Sequence, residues 1–450
     1  MTSLTRTLLT IALGAVVLGS AVAPASAHPA VRSDAVSAWN ANAGDAAIAA
    51  CLAPANNPLH EARMYAAMHV AIHDALNAIQ RRSSPYAFVA QRPLPDASPD
   101  AAVAAAARGV LVPLLDQLPA PFSDCAPAAV DGVENDYAAA LSAIPDGRAK
   151  DQGVQLWRAA AATILAVRTG DGADTPLFDA AYPQGTAPGE YRFTPGFTFA
   201  FAPGWAHVTP FVLRDSSQFR PPPPYKVTSR RYTADFAEVK RLGGDGVTTP
   251  SDRTPEQTEI ARFWVESAPL QWNRIARSVA ASSRLDPWAQ ARLFGLLNMA
   301  LADGYVGSFD TKYLYNFWRP VTAIQEADTD GNPNTSADPT WTPLVPTPPI
   351  PDYDSAHSVE GGAAAQVLRQ FFGTDRIAFR TCSLTLPSGS TCDDASPVTR
   401  SYRSFSQAAD ENGLSRILVG FHFRKAVEKG IEHGRRIGGR AVDRFLRPVR

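Results

Sequence analysis

Residues 312–320 read KYLYNFWRP, residues 355–357 read SAH, and residues 415–422 read SRILVGFH. These three stretches bring together one lysine, two arginines and two histidines. Arginine offers a planar fork that can hold an oxyanion with two parallel hydrogen bonds, and lysine adds a point charge. The set is typical of a site for a tetrahedral or trigonal oxyanion, such as phosphate or vanadate, and it decides the interpretation of the chain.

Lys312 and Arg319 are seven residues apart, which predicts that they share one face of a helix. Two cations on one face repel each other unless an anion lies between them. The alternative is a solvated helix face with two positive charges. The neighbouring side chains argue against that alternative because they are apolar or aromatic: Tyr313, Leu314, Tyr315, Phe317 and Trp318.

Residues 355–357 stand directly before a segment, 358–372, that is predicted to be helical. The first backbone N–H groups of a helix point outward, and the helix dipole favours a negative charge there. The Ser355 hydroxyl can donate a further hydrogen bond to the same anion. The alternative is that Ser355 serves only as the N-cap of the helix.

The composition is that of an ordinary globular protein. Apolar residues make up 45% of the 450 residues and charged residues 19%, which argues against disorder over the whole chain. The length suits one large domain or two modest ones. A formal net charge of −1 gives no basic field, so we expect no nucleic-acid partner.

The N-terminus has the pattern of a secretory signal peptide. Arg6 precedes an apolar stretch from residue 8 to residue 22, and Ala25-Ser26-Ala27 forms a small-residue cleavage site. We expect residues 1–27 to be removed, leaving an exported, extracellular mature protein. No later apolar run is long enough to cross a bilayer, so we expect no membrane span in the mature chain.

The four cysteines predict disulfides, because an even number in an exported protein favours paired thiols. Four cysteines allow three pairings. We favour Cys51–Cys125 together with Cys382–Cys392. The second bond would close a short polar loop that cannot hold itself by packing.

Helical patterns dominate the chain, and few segments alternate with period two, so we predict a mostly α-helical bundle with long Pro-rich loops. Thr254 and Gln257 predict a helix start with a capping box. The segments 193–225 and 328–354 are predicted loops. A boundary near residue 250 would separate an N-terminal helical region (28–250) from a catalytic region (251–450). Further helices are expected at 61–79, 101–118, 149–169, 287–308 and 404–446.

The order and spacing of the three stretches resemble the signature of the type 2 phosphatidic acid phosphatase and vanadium haloperoxidase superfamily. Lys312 and Arg319 match K-x6-R-P, and Arg416 and His422 match S-R-x5-H. Residues 355–357 stand where the superfamily has P-S-G-H. Residues 63–77 also resemble an early helix of the soluble vanadium-dependent haloperoxidases, which implies a helical bundle of that type.

The resemblance implies a role for each residue of the three motifs. His422 would be the axial ligand of vanadate in a haloperoxidase, or the nucleophile that forms a phosphohistidine in a phosphatase. His357 would be the general acid or base. The residues that would hold the oxygens of the oxyanion are Lys312, Arg319, Ser355, Ala356 (through its N–H) and Arg416.

The chain departs from the superfamily pattern at three positions. Asp354 replaces the usual Pro, and Ala356 replaces the usual Gly. Ala426 stands where an Asp commonly orients the histidine of the third motif. We expect Asp354 to weaken oxyanion binding or tune His357, and another group to orient His422.

Phe309 and Ile350 occupy positions where haloperoxidases often place residues of the halide region. Both are apolar here, which suits a partly desolvated halide but also plain core packing. The sequence favours packing for both residues.

The resemblance therefore implies a secreted vanadium-dependent haloperoxidase that oxidises a halide with hydrogen peroxide. One alternative is a secreted acid phosphatase that uses the same residues on a phosphomonoester and needs no vanadate. The other is a catalytically weak relative that only binds oxyanions.

Overall fold

A computed structural model of the chain describes residues 35–387 and 389–449. The predicted signal peptide, residues 1–27, lies outside the described residues. The described part is mainly helical, with two small antiparallel sheets. Its helices are α1 (Ala35–Ala49), α2 (Pro58–Ile79), α3 (Pro99–Asp116), α4 (Ala126–Ser142), α5 (Arg148–Arg168), α6 (Arg230–Leu242), α7 (Pro255–Phe263), α8 (Ala268–Ser282), α9 (Pro287–Tyr315), α10 (Pro320–Gln325), α11 (Ala356–Phe372), α12 (Phe405–Leu418) and α13 (Arg424–Arg444).

Three of the helix starts show why the sequence folds as it does. Before α7, the Thr254 hydroxyl accepts from the backbone N–H of Gln257, and the Gln257 side chain accepts from the Thr254 N–H, so the predicted capping box is confirmed. Asn57 caps α2 and Asp286 caps α9 by accepting from the backbone N–H three residues later, and each helix has a proline in its first turn.

The core lies around α2, α9, α11 and α13. Nearly every residue of α2 is buried, as expected for a helix surrounded by other helices. The α11–α13 pair is closely packed, because a Cβ added to Gly434 would lie 1.9 Å from the Val359 carbonyl oxygen. The larger hydrophobic cluster contains residues from every helix of the described part except α10, which packs in a second, smaller cluster, so the two predicted regions share one core. The boundary near residue 250 stays a prediction.

The predicted helix over residues 404–446 is wrong, because the structure has two helices, α12 and α13, with a break between them. Gly420 causes the break. Its φ is +88°, and a Cβ there would lie 2.7 Å from the Gly243 carbonyl oxygen, so the position requires glycine. The break has a functional consequence, since it removes His422 from a helix and places it in the connection.

The prediction that Lys312 and Arg319 share one helix face is also wrong. Helix α9 ends at Tyr315, and Asn316 adopts a left-handed conformation with φ 47° as its C-cap. Arg319 is then the N-cap residue of α10, which begins at Pro320. Proline favours such a start because its fixed φ suits the first turn and its missing N–H is not needed there.

Each of the two sheets consists of two short antiparallel strands. Strand β1 (Phe178–Asp179) pairs with β2 (Ala200–Phe201), with Phe178 opposite Phe201. Strand β3 (Phe379–Cys382) pairs with β4 (Thr399–Tyr402). The segments 193–225 and 328–354 are otherwise irregular apart from 3-10 turns, as predicted.

Both favoured disulfides are present, Cys51–Cys125 and Cys382–Cys392. The first joins the connection between α1 and α2 to the start of α4. The second closes the polar loop that follows β3. Within the described residues, no helix is long and apolar enough to cross a membrane.

Candidate active site

A cavity of about 670 Å³ opens beside the three motifs. Arg319, Arg416, His357 and His422 contribute its charged and titratable lining, which we call the cationic floor. The rest of the lining is apolar or aromatic apart from Asn56. No acidic side chain lines the cavity among residues 35–387 and 389–449.

Lys312 lies in the last turn of α9 and is fully buried. Its ammonium donates to the carbonyl oxygens of Pro351 (2.9 Å) and Asp352 (3.0 Å). Burial lowers the pKa of Lys312 well below its ordinary value, and Arg319 lowers it further. Lys312 is therefore anchored to the segment that precedes residues 355–357.

Arg319 is anchored to the segment before residues 355–357 and to the third motif. Its Nε donates to the Ile350 carbonyl oxygen (2.6 Å), and its Nη1 donates to the Phe421 carbonyl oxygen (3.0 Å). The same Nη1 lies 2.9 Å from Nε2 of His422. Burial lowers the pKa of Arg319 to about 10.

Arg416 lies on α12 and is buried. Its Nη2 donates to the Trp264 carbonyl oxygen (2.6 Å), and its Nε donates to the Ser415 hydroxyl (3.0 Å). Burial, and then the charge of Arg319, lower the pKa of Arg416 to about 9. The two arginines therefore repel each other across the floor, and a bound anion would relieve that repulsion.

His422 has an acidic partner that the sequence did not reveal. Its Nδ1 lies 2.8 Å from Oδ1 of Asp352, and both side chains are buried. Burial and the neighbouring cations, Arg319 first, lower the pKa of His422 well below its ordinary value, so the imidazole is neutral. With Nδ1–H donating to Asp352, the lone pair stays on Nε2, which accepts from Nη1 of Arg319 (2.9 Å).

Asp352 thus fills the orienting role that we expected another group to take over from Ala426. Apart from its position three residues before Ser355, no local pattern in the sequence marks Asp352. Burial raises the pKa of Asp352 to about 7, and Arg319 and Lys312 oppose that rise. Ala426 instead packs in the core, where its carbonyl oxygen accepts from the Ser355 N–H (3.1 Å).

Asp354 and Ala356, the other two departures, are both accommodated. The Asp354 carboxylate accepts from the Ser308 hydroxyl (2.8 Å) and contacts Nδ1 of His433 (2.8 Å), and all three residues are buried. These two partners occupy both carboxylate oxygens of Asp354. Ala356 is the first residue of α11 and does not have a positive φ, so this backbone does not require glycine there.

Ser355 stands at the N-cap position of α11 but makes no side-chain capping bond. Its hydroxyl oxygen accepts from the Ser358 hydroxyl (2.9 Å), which leaves the Ser355 proton available to an acceptor. The N–H groups of Ala356 and His357, at the start of α11, have no acceptor within the helix. The structure therefore favours a role for Ser355 beyond that of a cap.

His357 lines the cavity from the first turn of α11. Its Nε2 lies 3.1 Å from the Glu266 carbonyl oxygen, so Nε2 carries the proton and Nδ1 is free to accept one. Burial, and then Arg416, lower the pKa of His357 to about 3, which keeps the ring neutral.

Phe309 and Ile350 both line the cavity together with Arg319 and His422. Phe309 projects from α9, and the Ile350 carbonyl oxygen holds Arg319. The structure therefore brings together every residue that the sequence singled out. A role for these two in the halide region stays a prediction.

The site as a whole is suited to an anion. Lys312, Arg319 and Arg416 are three buried cations. The Asp352 carboxylate contacts His422, which in turn contacts Arg319. Buried charges of one sign are costly unless they are paired. A multiply charged oxyanion of tetrahedral size would supply that pairing, and it would meet hydroxyl and backbone donors from α11 as well.

Comparisons with known proteins agree with this fold and site. Residues 292–450 match the family described as VCPO second helical-bundle domain. This match and the relatives below support the resemblance to the superfamily of the vanadium haloperoxidases and type 2 phosphatidic acid phosphatases, and the predicted fold class is confirmed.

Among individual relatives, the vanadium chloroperoxidase of Curvularia inaequalis is 28% identical over 280 residues. That match covers 50% of this chain and 45% of the relative, so the chain spans about half the length of the curated relative it matches. A bacterial vanadium-dependent iodoperoxidase superimposes with a TM-score of 0.71 at 25% identity, over 91% of this chain and 96% of its own.

The holo form of a bacterial vanadium-dependent chloroperoxidase superimposes with a TM-score of 0.69, over 89% of this chain and 94% of its own. Its identity of 17% supports the shared fold alone.

Proposed function

We propose that the protein is a secreted vanadium-dependent haloperoxidase that oxidises a halide with hydrogen peroxide. One observation carries the proposal. The neutral His422 presents Nε2 among three buried cations at the floor of a cavity that no acidic side chain of the described residues lines. The vanadium-dependent relatives share the fold in which this arrangement is built.

The donor set fits vanadate. Nε2 of His422 would be its protein ligand, and Lys312, Arg319 and Arg416 would balance the charge of its oxygens. Ser355 would add a hydroxyl donor and Ala356 a backbone N–H. When bound, vanadate supplies a Lewis-acid centre that activates hydrogen peroxide toward a halide.

His357 is the group that moves protons in this proposal. Its Nε2–H is held by the Glu266 carbonyl oxygen, so Nδ1 accepts the proton that peroxide releases on entering the site. An oxyanion bound nearby would raise the pKa of His357 above its low value in the free site, because the anion stabilises the imidazolium. His357 can then return this proton to the peroxide oxygen that leaves when the halide is oxidised.

The halide would meet an apolar wall above a cationic floor. Phe309 and Ile350 supply that wall, and Arg319 and Arg416 supply the positive potential. Partial desolvation by the wall makes a halide a better nucleophile, while the arginines offset the cost of removing its water.

The same groups would also serve an acid phosphatase. Neutral His422 has an unprotonated Nε2 that can attack phosphorus once its contact with Arg319 opens, and His357 can protonate the leaving alcohol once it has gained a proton. Vanadate would then act as an inhibitor rather than as a cofactor. An experiment on this protein must therefore follow both reactions.

The test is a paired assay on the purified mature protein. One arm follows bromination of a dimedone reporter with peroxide and bromide, with and without orthovanadate, and the other follows hydrolysis of an aryl phosphate. We expect vanadate-dependent bromination that is lost in His422→Ala and kept in His207→Ala, which changes an exposed histidine. Phosphate release that vanadate inhibits, without bromination, would contradict the proposal and establish the phosphatase.

A further inference from the structure

The connection between α7 and α8, residues 264–267, contacts two of the three motifs through its backbone. The Trp264 carbonyl oxygen accepts from Nη2 of Arg416 (2.6 Å), and the Glu266 carbonyl oxygen lies 3.1 Å from Nε2 of His357. A carbonyl oxygen can only accept, so the second contact keeps the proton of the ring on Nε2. The position of this connection therefore decides where Arg416 points and which tautomer His357 adopts.

The loop that follows β3 is hydrogen-bonded to residues 262–266, which we call the clamped segment. Two hydroxyls and one backbone N–H of the loop are the donors. The pairs are the Ser383 hydroxyl with the Phe263 carbonyl oxygen (2.8 Å), the Thr385 hydroxyl with the Arg262 carbonyl oxygen (3.1 Å), and the Leu384 N–H with the Glu266 carboxylate (3.2 Å). The Cys382–Cys392 disulfide closes this loop, so it limits how far the three donors can move away.

The Glu266 side chain joins the clamped segment to α8 and to β3. Both carboxylate oxygens accept from the Arg274 guanidinium on α8, and Nη1 of Arg274 also donates to the Cys382 carbonyl oxygen (3.0 Å). Glu266 is fully buried, and removing one partner of a buried ion pair leaves the other charge uncompensated. The residue whose carbonyl oxygen meets His357 is therefore held in place by its own side chain.

We propose that Glu266 is a positioning residue of the active site and that the loop closed by Cys382–Cys392 keeps the clamped segment against Arg416 and His357. Neither Glu266 nor residues 383–385 line the cavity, so they act on the reaction only through these two side chains. The inference rests on the proposed function for the roles of Arg416 and His357.

Loosening the clamped segment has two specific consequences. Arg416 supplies positive charge at the cationic floor, so a displaced guanidinium weakens the binding of an oxyanion. A His357 ring freed from the Glu266 carbonyl oxygen also populates the tautomer with its proton on Nδ1. That tautomer has no lone pair on Nδ1 to accept a proton from peroxide.

The first test reads the His357 tautomer and needs no vanadate. Protein with ¹⁵N-labelled histidine rings is compared by NMR for the wild type, Glu266→Gln and Cys382→Ser/Cys392→Ser. The His357 signals are identified by their loss in His357→Gln, and thermal unfolding checks that each variant is folded. We expect a ring protonated on Nε2 in the wild type and a mixture of tautomers in both variants.

Either of two results would overturn the inference. One is a ring protonated only on Nε2 in the folded variants, and the other is a mixture of tautomers already in the wild type. Glu266→Gln keeps the size of the side chain and removes its charge. If that variant does not fold, Cys382→Ser/Cys392→Ser decides the result, because it leaves the Glu266–Arg274 pair intact.

The second test measures orthovanadate binding by calorimetry in the same variants. We expect about tenfold weaker binding in Glu266→Gln and in the cysteine variant. The matched control is Asp171→Asn, which changes another buried carboxylate that is paired with arginine but does not line the cavity, and it should keep the wild-type affinity.

Wild-type affinity in both folded variants would overturn the inference. No vanadate binding to the wild type, with a His357 tautomer that still depends on Glu266, would support the inference and count against the proposed function.

Discussion

The Asp352 carboxylate orients the His422 ring by accepting a hydrogen bond from Nδ1. The same carboxylate places a negative charge beside an anion site. These two effects oppose each other, so different substitutions should separate them. The Asp352→Ala variant loses the hydrogen bond that fixes the ring, whereas Asp352→Asn keeps an oxygen acceptor and loses the charge. The residue is buried, and the folded state must be checked by thermal unfolding in each case.

We predict that Asp352→Ala weakens vanadate binding roughly 10- to 100-fold, the usual effect of losing a partner that orients a metal ligand. Asp352→Asn should bind vanadate at least as tightly as the wild type, because the competing charge is gone. Calorimetric titration measures both. Wild-type affinity in Asp352→Ala would show that the contact does not position His422.

At this scale the sequence identified Lys312, Arg319, Arg416 and both histidines of the site, because their spacing follows a superfamily pattern. It could not identify Asp352, since no local rule links a carboxylate to a histidine seventy residues later. The contact depends on the chain folding back between motifs. The partners of Asp354, Ser308 and His433, could not be predicted for the same reason, because they lie on other helices.

Helix α2 places one glutamate and two histidines in the core, and their burial changes the stability of the folded state in opposite directions with pH. Burial raises the pKa of Glu61 from 4.5 to about 8, so between these values the folded state holds a proton that the unfolded state has lost. Stability from this group therefore falls as the pH rises from about 4.5 through about 8. Burial lowers the pKa of His69 to about 3 and of His60 to about 4, so stability falls as the pH drops below 6.5.

We predict that Glu61→Gln removes much of the alkaline loss. The difference in melting temperature between the variant and the wild type should increase in favour of the variant from about pH 5 to about pH 9. The matched control is Glu428→Gln on α13, where the side chain is exposed and the difference should stay constant. A constant difference for Glu61→Gln would show that its carboxyl is not protonated in the folded state.

Helices whose ends are marked by local sequence patterns were predicted well. Helix breaks and strands that depend on contacts distant in the sequence were not. The capping box before α7 was read directly from Thr254 and Gln257. The break after α12 was missed because helical patterns lie on both sides of Gly420, and the approach of Gly243 that requires glycine is a tertiary contact. The β1–β2 hairpin was missed because each of its strands has only two residues.

The two disulfides differ in how much of the molecule they constrain. Cys51–Cys125 spans 74 residues and Cys382–Cys392 spans 10. By loop-closure entropy the first contributes about 4 kcal/mol and the second about 3 kcal/mol to the free energy of unfolding. We predict a larger loss of stability in the Cys51→Ser/Cys125→Ser double variant than in Cys382→Ser/Cys392→Ser, measured by denaturant unfolding. The reverse order would contradict the account.

The whole molecule gathers three motifs from about a quarter of its sequence around one buried group of cations, and the remaining helices hold that group at the floor of an apolar cavity. The fold class followed from the sequence because helical patterns and the superfamily signature agree. The shape of the cavity did not, since its walls come from loops, prolines and a disulfide far apart in the chain.

The most direct test of the central claim is a calorimetric titration of the mature protein with orthovanadate. The account predicts one saturable site in the wild type and roughly 100-fold weaker binding in His422→Ala, with both proteins equally folded and His207→Ala unchanged. Vanadate binding that survives the loss of the His422 imidazole, or no binding to the wild type, would contradict it.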